Sequence, residues 1–123
     1  MSSNKKILII DDDYRNIFAL SAILKSRKYD CISARSAAEG FKILEEDEKV
    51  GVVLLDMMMP EMDGYEALKY MSEKEVLAKI PVIAVTARAM TGDKEQCLES
   101  GASAYVSKPV NIDELAALIN QLM

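Results

Sequence analysis

The chain has 123 residues, half of them hydrophobic and 28% charged. That length suits one domain able to bury roughly two thirds of its unfolded surface without disulfides or structural metal. A formal net charge of −5 argues against binding to nucleic-acid phosphates, which rests on Lys and Arg contacts, and the absence of histidine excludes Ser-His or Cys-His catalysis and any His-ligated metal.

Cys31 and Cys97 lie far apart without zinc-type spacing, so reduced thiols and a cytoplasmic location are expected. No apolar run approaches the ~20 residues of a membrane helix, so no membrane contact is expected. Residues Met1 to Lys6 are too short and polar for a secretory signal.

In chain order, Lys6–Ile10 is predicted as the first strand. Asp13 caps a helix whose apolar side carries Ile17, Leu20, Ile23 and Leu24, with Ala22 flanking. Lys25, Arg27 and Lys28 fall at that helix's C-terminus, where cations complement the macrodipole. Asp30–Ala34 forms the second strand. Ser36 with Glu39 is a capping box opening a helix with Phe41 and Leu44 inside. Val50–Leu55, the most hydrophobic run, is the central strand. Asp63 and Glu66 repeat the capping spacing. Pro81–Val85 is the fourth strand, with proline at its first position. A helix starting near Thr91 closes at Gly101, and Ser103–Val106 is the fifth strand. Asn111 with Glu114 caps a last helix carrying Leu115, Leu118, Ile119 and Leu122.

Five strand–helix units predict an α/β fold, a (βα)5 doubly wound five-stranded parallel sheet over residues 1–123, with no further domain expected. Two strand orders are plausible for such units, and the flavodoxin-like order 2-1-3-4-5 places strands one and three side by side.

Chemistry-bearing residues follow the strands: Asp11 and Asp12 after the first, Asp56 after the third, Thr86 after the fourth, Lys108 after the fifth. Ligands bind at the carboxyl ends of such strands, so these residues converge. Alone, each has an ordinary explanation as a helix cap, turn residue or solvated side chain; four complementary strand ends together do not. Three adjacent carboxylates would force a proton onto one of them unless a cation intervenes, and Mg²⁺ suits carboxylates plus a phosphate. Asp56 would then be the nucleophile, Lys108 would neutralise phosphoryl oxygens, and Thr86 would offer a hydroxyl to the product.

The chain resembles the receiver domains of two-component response regulators over essentially its whole length. The resemblance rests on Asp11-Asp12, on Leu54-Leu55-Asp56 continuing through Pro60 to Asp63-Gly64, on Val85-Thr86-Ala87, and on Tyr105-Val106-Ser107-Lys108-Pro109. It implies phosphoacceptance at Asp56 and Mg²⁺ held by Asp11, Asp12, Asp56 and the backbone carbonyl of Met58. It also implies a cis Lys108–Pro109 peptide. Thr86 and Tyr105 would act as the switch, remodelling the helix 4–strand 5–helix 5 surface for a downstream protein. Met58 and Arg88 would flank the phosphoryl group and set its lifetime. The donor would be a histidine kinase or histidine phosphotransfer protein, and the chain itself no enzyme beyond its own phosphorylation and dephosphorylation. A monomer or a phosphorylation-dependent dimer is expected. The segment from Asp11 to Leu20 also resembles receivers attached to hybrid histidine kinases. Met57, Met59, Met62 and Met71 are expected to pack against the loop and third helix.

Two other readings compete. A haloacid-dehalogenase-type phosphatase also carries Asp-x-Asp after strand one, as Asp11 and Asp13 do, but its motif continues with Thr or Val where Arg15 stands. A pseudo-receiver would share the fold without phosphorylation, and the complete set of Asp11, Asp12, Asp56, Thr86 and Lys108 speaks against it.

Overall fold

The computed structural model describes residues 5–58, 64–74, 77–86 and 93–123. The elements follow as β1 (Lys6–Ile10), α1 (Tyr14–Ser26), β2 (Asp30–Ala34), α2 (Ala37–Glu46), β3 (Val50–Asp56), α3 (Gly64–Glu73), a short 3-10 turn (Leu77–Lys79), β4 (Val82–Thr86), α4 (Asp93–Glu99), β5 (Ala104–Ser107) and α5 (Ile112–Leu122). The sheet is parallel in the order β2-β1-β3-β4-β5. This is the doubly wound (βα)5 arrangement that the alternating sequence predicts.

Strand side chains alternate between faces, and the core divides accordingly. Leu8, Ile10, Val53, Leu55, Val82 and Ala84 pack under α2 and α3, meeting Phe41, Leu44, Ala67, Leu68 and Met71. Ile7, Ile9, Val52, Leu54, Ile83 and Val85 pack under α1 and α5, meeting Ile17, Leu24, Leu115 and Ile119. Near-continuous apolar strands are what a sheet covered on both faces requires. β3 is buried along almost its whole length, as expected of the central strand. Met57 is buried against the start of α3 and Met71 is buried on α3 itself, in the same cluster, while Met59 and Met62 lie outside the described residues.

Helix starts follow the capping residues. Asp13 accepts from the Arg15 amide, Ser36 from Glu39 and Asn111 from Glu114. Glu39 reaches back to the Arg35 amide at 3.1 Å, one residue earlier than a standard capping box. Asp63 and Thr91 lie outside the described residues. Gly101 closes α4 with φ +119°, and the Ala102 amide returns to the Cys97 carbonyl.

Three details depart from the sequence reading. β3, β4 and β5 each end one residue later than their apolar runs, and β4 and β5 also begin one later. Ile23 is 41% exposed, outside the buried stripe of α1 that Ile17 and Leu24 form. Lys28 adopts a left-handed backbone, φ 72°, where α1 ends. Its amide reaches the Lys25 carbonyl, and the Tyr29 amide reaches Leu24, which is the Schellman closure that ordinarily favours glycine. Arg27 is drawn to Asp113 on α5 at 2.6 Å, and Tyr29 hydrogen-bonds Asn120.

A lysine at this left-handed position carries a Cβ penalty that glycine lacks. Lys28→Gly is expected to stabilise the protein by about 0.5–1 kcal/mol in urea unfolding. A midpoint that stays put or falls contradicts that reading of the α1 terminus.

Candidate functional site

The register across the sheet assembles the site. Ala34, Ile10, Leu55, Ala84 and Tyr105 stand abreast on the five strands. One residue further along lie Asp11 after β1 and Asp56 at the end of β3, so two carboxylates from distant parts of the chain face each other across adjacent strands. Thr86 ends β4 opposite Ser107 of β5. The Lys108 amide donates to the Thr86 carbonyl at 2.8 Å, which carries the lysine onto the same edge. The Lys108–Pro109 peptide is cis.

Asp11, Asp56 and Thr86 are buried, at 3%, 5% and 1% exposure, while Asp12 is half-buried. Asp11, Asp12 and Asp56 each present an oxygen within 4.8 Å of the others. Lys108 Nζ stands 3.8 Å from Asp11 Oδ2 and 3.8 Å from Asp56 Oδ1, poised between the two buried acids. Asp11 Oδ1 accepts the Asp13 amide at 2.8 Å, and Asp56 Oδ1 accepts the Met58 amide at 3.1 Å. Each buried carboxylate is therefore oriented by the backbone two residues on.

These contacts do not fully offset burial. The Asp56 carboxyl is pushed up to about 6, mainly because burial disfavours its charged form and also because Asp11 stands beside it. The Met58 amide and Lys108 oppose the rise. An acid held this way in a cleft is a mark of a functional site. Three carboxylate oxygens so close together, from carboxylates of which two are buried, suit a hard divalent cation with oxygen ligands.

Behind Asp56 the packing is tight. The Gly64 amide donates to the Met57 carbonyl at 3.2 Å. A Cβ on Gly64 would fall 2.6 Å from Met57 Cα and 2.3 Å from its sulfur. Only glycine lets α3 start against the residue that follows Asp56. Met58, next in line, is 47% exposed. Arg88 lies outside the described residues. Tyr105 is half-buried and packs with the α2–α3 layer. By strand alternation it shares a sheet face with Thr86 on the neighbouring strand.

Beside Lys108, a groove of about 280 Å³ runs between α1 and the segment after β5, lined by Asn16, Leu20, Ile23, Pro109 and Val110. Ile23, expected inside, lines this groove instead. Sequence reasoning also missed the two amide clamps on Asp11 and Asp56 and the Gly64–Met57 contact. Backbone amides carry no side-chain signature; the glycine after Asp63 was the one available hint.

Known proteins share this arrangement. The sequence model of the response regulator receiver domain matches residues 7–120. The polar-differentiation response regulator DivK of Brucella ovis is 33% identical over 119 residues, covering 97% of this chain and 96% of its own. Among solved structures, a response regulator receiver protein from Pseudomonas putida superposes with a TM-score of 0.90 at 25% identity, covering 98% of this chain and 99% of that one. The receiver domain of a Pseudomonas aeruginosa sensor histidine kinase, described with a magnesium ion in its active-site cleft, gives 0.86 at 28% identity and covers 98% of each chain. With this fold, these strand-end residues and these relatives, the chain belongs to the response regulator receiver domain family of two-component signalling.

Proposed function

We propose that the chain is a phosphorylation-activated switch of a phosphorelay, receiving a phosphoryl group on Asp56 from a phosphohistidine of a histidine kinase or histidine phosphotransfer protein. One observation carries this reading: Asp56 sits buried at the tip of the central strand, with Asp11 and Asp12 on one side and Lys108 3.8 Å from its Oδ1. In the transfer, an Asp56 oxygen attacks phosphorus while the P–N bond to the donor imidazole breaks, its electron pair staying on nitrogen. Lys108 neutralises charge on the phosphoryl oxygens as the group moves. Asp11, Asp12, Asp56 and the Met58 carbonyl would hold Mg²⁺, which when bound supplies the positive charge these carboxylates lack. The chain acts on no other substrate and catalyses only its own phosphorylation and dephosphorylation.

Thr86 and Tyr105 carry the response. A hydrogen bond from the Thr86 hydroxyl to a charged phosphoryl group contributes about 1.5–3 kcal/mol, or roughly 10- to 150-fold in a conformational equilibrium. Drawing in Thr86 shifts Tyr105, which shares its sheet face, and so remodels the α4–β5–α5 surface that a downstream protein reads. The chain is a monomer, or a dimer formed on phosphorylation through α4 and α5. Among the described residues no helix is long and apolar enough to cross a membrane. Cys31 and Cys97, as thiols not joined in a disulfide, suit a cytoplasmic setting.

Incubation with a small acyl phosphate and Mg²⁺ is expected to add one phosphoryl group by intact mass in the parent and none in Asp56→Asn. Labelling that survives the substitution would remove Asp56 as the acceptor. The Met58 thioether side chain, open to solvent, cannot hold an attacking water by hydrogen bonding. The phosphorylated parent should therefore lose its phosphate about threefold or more slowly than Met58→Asn. Equal or faster loss from the parent refutes this role.

The raised Asp56 carboxyl also sets a pH dependence. Its folded value of about 6 exceeds the ordinary 3.8, so its stabilising contribution is complete below 3.8 and is lost as pH rises through 6. Ionised Asp56 thus weakens the metal-free fold at neutral pH. Metal-free Asp56→Asn should be more stable than the parent at pH 7.5 by on the order of 1–2 kcal/mol, the advantage shrinking toward pH 4. Added Mg²⁺ should raise the parent's melting temperature more than the variant's. Urea and thermal unfolding across that range measure both effects, and a pH-independent difference would contradict them.

A further inference from the structure

We infer that Arg35 is a positioning residue for the anionic phosphodonor, held in place by the ring of Tyr14; the inference rests on Asp56 being the phosphoacceptor. Ala34, Ile10 and Leu55 are register partners on three neighbouring strands. The next residues are Arg35, Asp11 and Asp56, in that order across the sheet. The Asp11 amide donates to the Ala34 carbonyl at 3.1 Å, so Arg35 emerges directly beside the acidic pair. Strands lie about 4.8 Å apart, which puts the Arg35 backbone about 10 Å from that of Asp56, a gap an extended arginine largely spans.

The cations around this edge have different partners. Lys108 faces Asp11 and Asp56, and Arg15 is tied to Asp13 at 3.3 Å. Among the described residues Arg35 has no carboxylate partner; its guanidinium carbon lies 5.9 Å from the centre of the Tyr14 ring. Tyr14 opens α1, directly after the Asp11–Asp13 turn. A cation–π contact leaves the N–H fork of the guanidinium available for an anion, unlike an ion pair. Arg35 therefore supplies positive charge on the β2 side of the acids, opposite Lys108. A phosphodonor approaching this acidic rim meets attraction from both flanks, and Arg35 acts on capture rather than on bond making.

Acetyl phosphate is the probe. The Asp56 oxygen attacks its phosphorus, the P–O bond to the acetyl group breaks, and acetate leaves with the electron pair. Initial rates of Asp56 labelling, with Mg²⁺ and an intact-mass readout, compare the parent with Arg35→Gln, Arg35→Lys and Tyr14→Leu. Arg35→Gln is expected to raise KM for acetyl phosphate about threefold to tenfold, with the saturated rate changing less than about twofold. Arg35→Lys restores part of the loss, and Tyr14→Leu raises KM by less than Arg35→Gln does. Added salt narrows the gap between the parent and Arg35→Gln. Thermal midpoints and Mg²⁺ titration by calorimetry show that fold and metal affinity persist. An equal KM in the parent and Arg35→Gln, or a lower saturated rate at unchanged KM, overturns the role of Arg35 while leaving the acceptor assignment standing. A parent that takes no phosphate on Asp56 overturns both.

Discussion

Three carboxylates gathered at the tips of two neighbouring strands, with one lysine set between the two buried ones, govern this molecule. Bringing Asp11 and Asp56 into a buried space is electrostatically unfavourable, and the fold accepts it because two apolar layers hold the strands in register on both faces. What Lys108 and the Met58 amide leave uncompensated appears as the raised Asp56 carboxyl. A site in that condition gains from any added positive charge. A cation placed among these carboxylates would relieve that repulsion directly.

The machinery around the acids is mostly backbone. The Asp13 and Met58 amides orient the buried carboxylates, the Lys108 amide ties the lysine to β4, and the Met57 amide joins the Val85 carbonyl so that β3 and β4 end together. Gly64 lets α3 close on Met57 without displacing it. Side chains supply the chemistry, while main-chain hydrogen bonds supply the precision that makes it usable.

Much of this was legible before any coordinates. Short β-branched runs alternating with capped amphipathic segments gave the parallel sheet, the helix starts and the two-layer core, and polar residues after four runs gave the site. The strand order rested on the need to bring Asp11 and Asp56 together and on the family resemblance. Boundaries slipped by one because apolar character records burial, whereas a strand is defined by pairing; Asp56, Thr86 and Ser107 are polar yet still in the ladder. Ile23 misled for a related reason, since a hydrophobic residue at the edge of a helical stripe can line a groove instead of the core. The left-handed Lys28 was invisible because nothing but glycine or asparagine announces that conformation. The Arg35–Tyr14 contact was equally hidden: it joins residues 21 positions apart through a strand pairing that no local pattern encodes.

The described site residues crowd one rim of the sheet, and the turn between α2 and β3 lies at the opposite rim. There the turn from α2 into β3 passes through Glu48 and Lys49, both exposed, a full strand length from Asp56. A parallel ladder tolerates lengthening of such a turn but not a one-residue slip within a strand, which would send Asp56 to the other face. Segments spliced at 48–49 thus leave Asp56 and its neighbouring acids in place.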